Sequence, residues 1–130
     1  MNAASAYKPD NHPDVSVYMM AKDANAVIGF AKAIFGAEEV MRHSRDDGSI
    51  MHAELRIGDS VIMLSQGAQD YPAFPVWLHV YVPDVDTTYE AALRYGAQSV
   101  QAPARKDDMD KRGGVRDSSG NIWWIATAEA

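Results

Sequence analysis

The chain has 130 residues, 47% of them hydrophobic, a formal net charge of −6 and a pI near 5.0. That length suits one compact domain with a sizeable core, and the acidic balance argues against a phosphate-backbone partner, which needs a basic face. Without cysteine the chain has no disulfide, no thiolate metal site and no Cys nucleophile; this composition fits a cytoplasmic protein, and no apolar run approaches a membrane span.

Residues 1–14 are polar, carry Pro9 and Pro13, lack the apolar centre of a signal peptide and read as a flexible leader. Lys8, Asp10 and His12 receive no functional weight. Val15 to Met20 alternates as a first strand, with Ser16, Tyr18 and Met20 on its mixed face. Asp23 is placed to cap a helix from Ala24 to Phe35, its carboxylate accepting from free N–H groups of the first turn. Val27, Ala31, Ile34 and Phe35 form the buried stripe, flanked by Phe30. Gly36 is the left-handed stop.

Three strands follow. Glu38 to Arg45 is closed by the turn Asp46-Asp47-Gly48. Ile50 to Ile57 puts Met51, Ala53, Leu55 and Ile57 on one face and His52, Glu54 and Arg56 on the other. Gly58-Asp59 is a two-residue turn with glycine first, as type II′ requires. Ser60 to Ser65 completes the unit, with Ile62 and Leu64 opposite Val61 and Met63. Residues 66–75 hold Gly67, Pro72 and Pro75, poor ladder residues, and form a linker.

The order then repeats. Val76 to Val82 is a strand with Trp77, His79 and Tyr81 on one face. Asp84 caps a helix to Tyr95, with Val85, Tyr89, Ala92 and Leu93 as its stripe, and Gly96 ends it. Ser99 to Ala104, Lys111 to Arg116 and Asn121 to Thr127 are strands. The charged stretch Arg105 to Arg112 reads as a solvated loop or a flap. Gly113-Gly114 marks a bulge or a close backbone approach. Trp123 and Ile125 fall opposite Ile122 and Trp124.

The two halves, about 15–65 and 76–127, are copies of one β-α-β-β-β unit. Asp23 and Asp84 stand about sixty residues apart, as do the helix-ending glycines. The fold class is α+β: two paired units making a curved mixed sheet around a cleft, with each helix covering one face of its own sheet. Alternation gives the cleft face Ser16, Tyr18, Met20, His52, Glu54, Met63, Trp77, His79, Tyr81 and Trp124.

The twin strand-Asp-helix-Phe/Tyr-Gly-Ala segments carry a resemblance. So do Met51-His52-Ala53-Glu54-Leu55-Arg56-Ile57-Gly58-Asp59 and the ending Asp117-Ser118-Ser119-Gly120-Asn121-Ile122-Trp123-Trp124. Together they resemble the vicinal-oxygen-chelate superfamily, the glyoxalase/bleomycin-resistance/dioxygenase family. The His-Ala-Glu-Leu and Ile-Met-Leu-Ser stretches are similar to its PhnB-like branch. The resemblance implies the fold and a homodimer. It also implies metal ligands on the first and fourth strands of each unit, which fall on Ser16, Met63, Trp77 and Trp124. None is a His or carboxylate, and indole and thioether do not suit a hard divalent ion.

The expected function is therefore that of a metal-independent protein of the bleomycin-resistance type, without cofactor. It would bind a small aromatic or cationic molecule between Trp77 and Trp124, with Tyr18, Met63 and His79 shaping the pocket. The alternative is a glyoxalase-type lyase or isomerase with a displaced divalent metal, using His52, Glu54 and His79 as ligands or acid–base groups. Glu54 with Arg56 reads equally well as a surface ion pair.

Overall fold

The structure is a computed structural model and describes residues 7–129. The strands are β1 (Val17–Ala21), β2 (Glu38–Ser44), β3 (Ile50–Ile57), β4 (Ser60–Gln66), β5 (Trp77–Tyr81), β6 (Gln98–Arg105), β7 (Asp110–Arg116) and β8 (Ile122–Ala128). The helices are α1 (Ala24–Phe35) and α2 (Val85–Tyr95). They form two four-stranded mixed sheets, β1-β4-β3-β2 (sheet A) and β5-β8-β7-β6 (sheet B). In each, the first strand pairs parallel to the fourth and the rest are antiparallel. Both units are thus β-α-β-β-β, as the repeat predicts.

The helix boundaries follow from local chemistry. The Asp23 carboxylate accepts from the Ala26 N–H at 3.1 Å and the Asp84 carboxylate from the Thr87 N–H at 3.2 Å, each satisfying a donor the first turn leaves free. The turn between β3 and β4 has Gly58 at φ +57, with Asp59 at negative φ, which is the type II′ arrangement.

One apolar core lies on the helix side of both sheets. Met19, Leu55, Leu64, Val27 and Phe30 come from the first unit; Trp123, Ile125, Val115, Tyr89 and Val85 come from the second. The units meet there. Trp123 stacks on Phe35 at 5.1 Å between centroids and lies 5.6 Å from Phe30. Tyr95 meets Phe30 edge to face. Burial of Trp123 and Phe30 at this junction makes it a main source of stability, about 1.5–3 kcal/mol per buried side chain.

The buried carboxylate Asp117 organises the turn before β8. It accepts from the backbone of Ser119 and Asn121, from the Asn121 amide and, at 2.8 Å, from the Trp123 indole N–H. The Asn121 side chain in turn caps the Val76 N–H, so one acidic residue fixes the turn, the entry to β5 and the central tryptophan.

Three expectations are corrected. The first strand begins at Val17 rather than Val15, and Val15 is exposed. Met51, expected on the helix face, is 49% exposed, and Ile50 fills the core instead. A register shift between His43 and Ser44 opposite this end of β3 interrupts the simple alternation. Ile34 and Phe35 are only partly buried, whereas Ala24 and Ile28 are buried, so the stripe is rotated toward the helix start. Of the expected leader, residues 1–6 lie outside the described residues. Residues 7–14 lie against sheet A, held by His12 to Glu54 and by Arg56 to the Asn11 carbonyl.

Candidate functional site

The residues expected to share one cleft face are gathered into two clusters, one on each sheet. Sheet A holds Tyr18, Met63, His52 and Glu54; sheet B holds Trp77, His79, Tyr81 and Trp124. Among the described residues no hydrogen bond or ring contact joins one cluster to the other. The contacts that join the units are on the helix side and at the turns, including the Asp23 N–H to the Ser119 hydroxyl and the Asn121 amide to the Met19 sulfur.

On sheet A, register fixes a row. Tyr18 opposes Met63, Met63 opposes Glu54, and Glu54 opposes Met41. Glu54 is a buried carboxylate with both oxygens engaged: Oε1 faces His12 Nε2 at 2.7 Å and Oε2 faces His52 Nε2 at 2.8 Å. Burial pushes the Glu54 carboxyl up, but the hydrogen bonds from the two imidazoles outweigh it and leave it below its ordinary value. His12 is held above its ordinary value by its bonds to Glu54 and to the Asp10 carbonyl. The other nitrogen of His52 lies 3.2 Å from the Tyr18 hydroxyl, which also meets the Ser65 hydroxyl at 2.9 Å. The reading of Glu54 with Arg56 as a surface ion pair is therefore wrong. Arg56 bonds the leader backbone, and Glu54 is paired with histidines instead.

On sheet B the equivalent row is His79, Trp124 and Gly114. A Cβ at Gly114 would stand 2.7 Å from two carbons of the Trp124 six-membered ring. Trp124 therefore lies flat on the β7 backbone, and both expected meanings of Gly113-Gly114 hold: close approach at Gly114, and a register shift in β6 between Gln101 and Ala104, the partners of Gly114 and Arg112. Trp77 meets Trp124 edge to face, with centroids 5.5 Å apart and planes at 66°. The rings touch, so a flat guest cannot lie between them. Trp77 is instead 71% exposed and offers a face. The Trp124 Nε1–H is buried and has no partner among the described residues, an unmet donor of the kind that a bound acceptor satisfies.

Beside the tryptophans stands a polar cluster that sequence reasoning missed. Arg112 donates through Nε to His79 Nε2 at 3.0 Å, and through its terminal nitrogens to Asp110 at 2.8 Å and Asp108 at 3.2 Å. Tyr81 donates to Asp110 at 2.7 Å. Because Arg112 only donates, His79 Nε2 accepts, and the ring is neutral with its proton on Nδ1. Burial and the neighbouring guanidinium push the His79 pKa below its ordinary value. Arg112 opposes Ala126, which opposes Tyr81. The small central residue lets the guanidinium reach across the sheet. Parity with Trp124 is the signal that could have placed Arg112 here.

The displaced metal set is not assembled: His52 and Glu54 are on sheet A and His79 on sheet B. Among the described residues no group of three or more His, Asp or Glu side chains is arranged to hold a metal ion. Ser16, Met63, Trp77 and Trp124, where the resemblance implies metal ligands, offer no hard-ion donor set. These residues do not fit a divalent centre.

A groove of about 820 Å³ runs between the units. The unpaired edges of β1 and β5 flank it, with Ser16, Val17, Trp77, His79 and Tyr81 among its lining residues. It includes neither Tyr18, Met63 nor Trp124. Among the described residues, no helix is long and apolar enough to cross a membrane.

No family model matches the chain. An uncharacterized protein of Mycobacterium bovis is 33% identical over 122 residues, covering 85% of this chain and 80% of that one. A glyoxalase/bleomycin resistance protein/dioxygenase family enzyme from Burkholderia phytofirmans superposes with a TM-score of 0.71, at 21% identity, over 87% of this chain and 96% of that chain. The chain belongs to the family of the mycobacterial protein and has the fold of the glyoxalase/bleomycin resistance/dioxygenase superfamily. TnmS3, an antibiotic binding protein from Streptomyces, shares that fold at a TM-score of 0.69 and 15% identity, over 91% of this chain and all of that chain.

Proposed function

We propose that this is a metal-independent small-molecule binding protein of the PhnB-like branch, cytoplasmic and homodimeric, that takes an aromatic or cationic guest on sheet B. The guest lies against the exposed face of Trp77, beside Trp124 and His79. The observation that carries this reading is the built aromatic platform. Trp124 is seated on Gly114, its indole N–H is unpartnered, and it braces a tryptophan whose own ring is open. Exposed aromatic surface held rigid loses little entropy on binding and gives much contact area. The fold shared with an antibiotic binding protein supports the same reading. The donor sets favour binding over metal-assisted chemistry, because the family's ligand positions carry two tryptophans, a methionine and a serine. The exposed apolar residues Val15, Val17 and Tyr81 beside the two free strand edges support a homodimer.

The test is a panel of polycyclic and cationic aromatic compounds followed by tryptophan emission and by mass spectrometry of the complex. A true guest quenches the wild type, and its affinity falls at least tenfold in Trp77→Ala/Trp124→Ala. The buried Trp123 supplies an unquenched background. Unchanged affinity in the double variant would sink the reading. Light scattering checks the homodimer.

A further inference from the structure

Glu54 stands at the centre of sheet A between Met63 and Met41, with 7% of its side chain exposed. A carboxylate in such a place needs a counter-charge and full hydrogen bonding. His52 serves one oxygen from the same strand. The other oxygen is served by His12, from outside the sheets.

The protonation of His12 follows that of its partners. Its Nδ1 is 3.1 Å from the Asp10 carbonyl oxygen, which can only accept. Its Nε2 faces the Glu54 carboxylate, which when ionised can only accept. With Glu54 ionised both ring nitrogens carry protons, so His12 then sits on Glu54 as a planar imidazolium, with only 12% of its side chain exposed. The segment that delivers it is held lightly. Among the described residues its other hydrogen bond to the body is from Arg56 to the Asn11 carbonyl. Tyr7 and Lys8 bond Asp14, within the segment.

We propose that the Glu54 carboxylate is a binding site for a planar N–H cation on a small molecule, such as an amidinium, a guanidinium or a protonated N-heterocycle, and that His12 is its built-in occupant, displaced when the guest arrives. The site offers what such a cation needs: a desolvated carboxylate already oriented by His52, with one oxygen whose partner comes from a separable segment. A ligand that competes with an intramolecular group binds more weakly by the fraction of time the site is open, so the leader sets the threshold of binding. The charged and titratable groups facing the site are His52 and Arg56 on β3, His43 opposite His52 on β2, Tyr18 on β1 and Asp10 in the leader. Arg56 is a like charge two residues along, so the site takes one cationic group and rejects dications. This rests on the binding function and goes beyond it, adding a cation site on the sheet opposite the tryptophans.

The full-length His12→Ala variant is titrated with imidazole at pH 5.5, where the probe is imidazolium, and followed by amide chemical shifts. The expected result is at least tenfold tighter binding than to wild type, with shifts at Glu54, His52 and Tyr18, lost when Glu54→Gln is added. If His12→Ala does not fold, His12→Gln, which keeps an N–H donor without charge, takes its place with the same expected gain. In wild type, benzamidinium should shift the amides of Asn11 and His12 as the leader is displaced. Equal imidazolium affinity in wild type and variant would overturn the proposal, as would binding that survives Glu54→Gln. Adding Trp77→Ala/Trp124→Ala should leave imidazolium binding unchanged. Its loss there would put the cation on the tryptophans and overturn the Glu54 assignment, whereas loss of aromatic binding alone counts only against the tryptophan platform.

Discussion

The two sheets share a backbone plan and differ in what they present. Register pairs their positions: Tyr18 with His79, Met63 with Trp124, Glu54 with Gly114. Where sheet A has a carboxylate, it recruits two histidines and a segment of the leader, and that carboxylate is covered. Where sheet B has a glycine, an indole lies down on the bare backbone, and its face is aromatic and open. A repeat thus copies hydrogen-bonding geometry while single residues in the third strand decide whether a face becomes an ion site or a stacking surface.

The largest test of this contrast lies in the turns. The first unit closes β3 to β4 with the two-residue Gly58-Asp59 turn, and the second uses the Asp117 carboxylate as a four-bond hub. Asp117→Ala should cost about 4 kcal/mol in urea unfolding, because buried donors including the Trp123 indole lose their acceptor. Asp59→Ala should stay within about 0.5 kcal/mol. Equal effects would mean the hub is not what fixes the second unit.

Next is the seat of Trp124. Gly114→Ala should destabilise by about 1–3 kcal/mol, since the ring cannot give way without losing its contact with the backbone. It should also change the near-ultraviolet circular dichroism of the tryptophan pair. A neutral, spectroscopically silent variant would show that the platform does not need the bare backbone.

Arg112→Ala removes the cation beside His79 and leaves Asp108 and Asp110. The His79 pKa should then rise, read by NMR titration, while that of His12 on the other sheet should not move. Parallel shifts in both would couple the two faces and break the comparison.

The smallest effect concerns pH and the leader. His12 has its pKa raised in the folded protein, so its contribution is fully present below the ordinary histidine value. It is lost as pH rises through the raised one. Leader amides at Asn11 and His12 should lose their folded chemical shifts over that window, and Glu54→Gln should abolish the transition. At the acid end, Glu39 on β2 is held down to about 2 by Arg42 and Lys32. Its ion pairs therefore persist well below pH 4 and are lost only as pH falls through about 2.

Much of the fold is legible because its signals are local. Asp23 and Asp84 cap helices, Gly36 and Gly96 end them, and alternation in β4 and β8 assigns Ile62, Leu64, Trp123 and Ile125 to the core. The misses share one cause. Met51 departs from the alternation because a register shift in the facing strand carries no sequence mark. His12 has no local signal, since its partner is forty-two residues away. Arg112 looks like loop charge in the sequence because its place depends on the small Ala126 between it and Tyr81.

The amino-acid sequence by itself determined the repeat, the β-α-β-β-β order and which side of most strands faces a helix, since capping chemistry and period-two burial act over a few residues. Only the tertiary structure decided that the expected cleft residues of one chain stand in two clusters with different chemistry, that Trp77 and Trp124 touch rather than frame a slot, and that a leader histidine closes on Glu54. Those are contacts between residues far apart in the chain, set by strand register and by how two helix-covered sheets pack, and no local pattern encodes them.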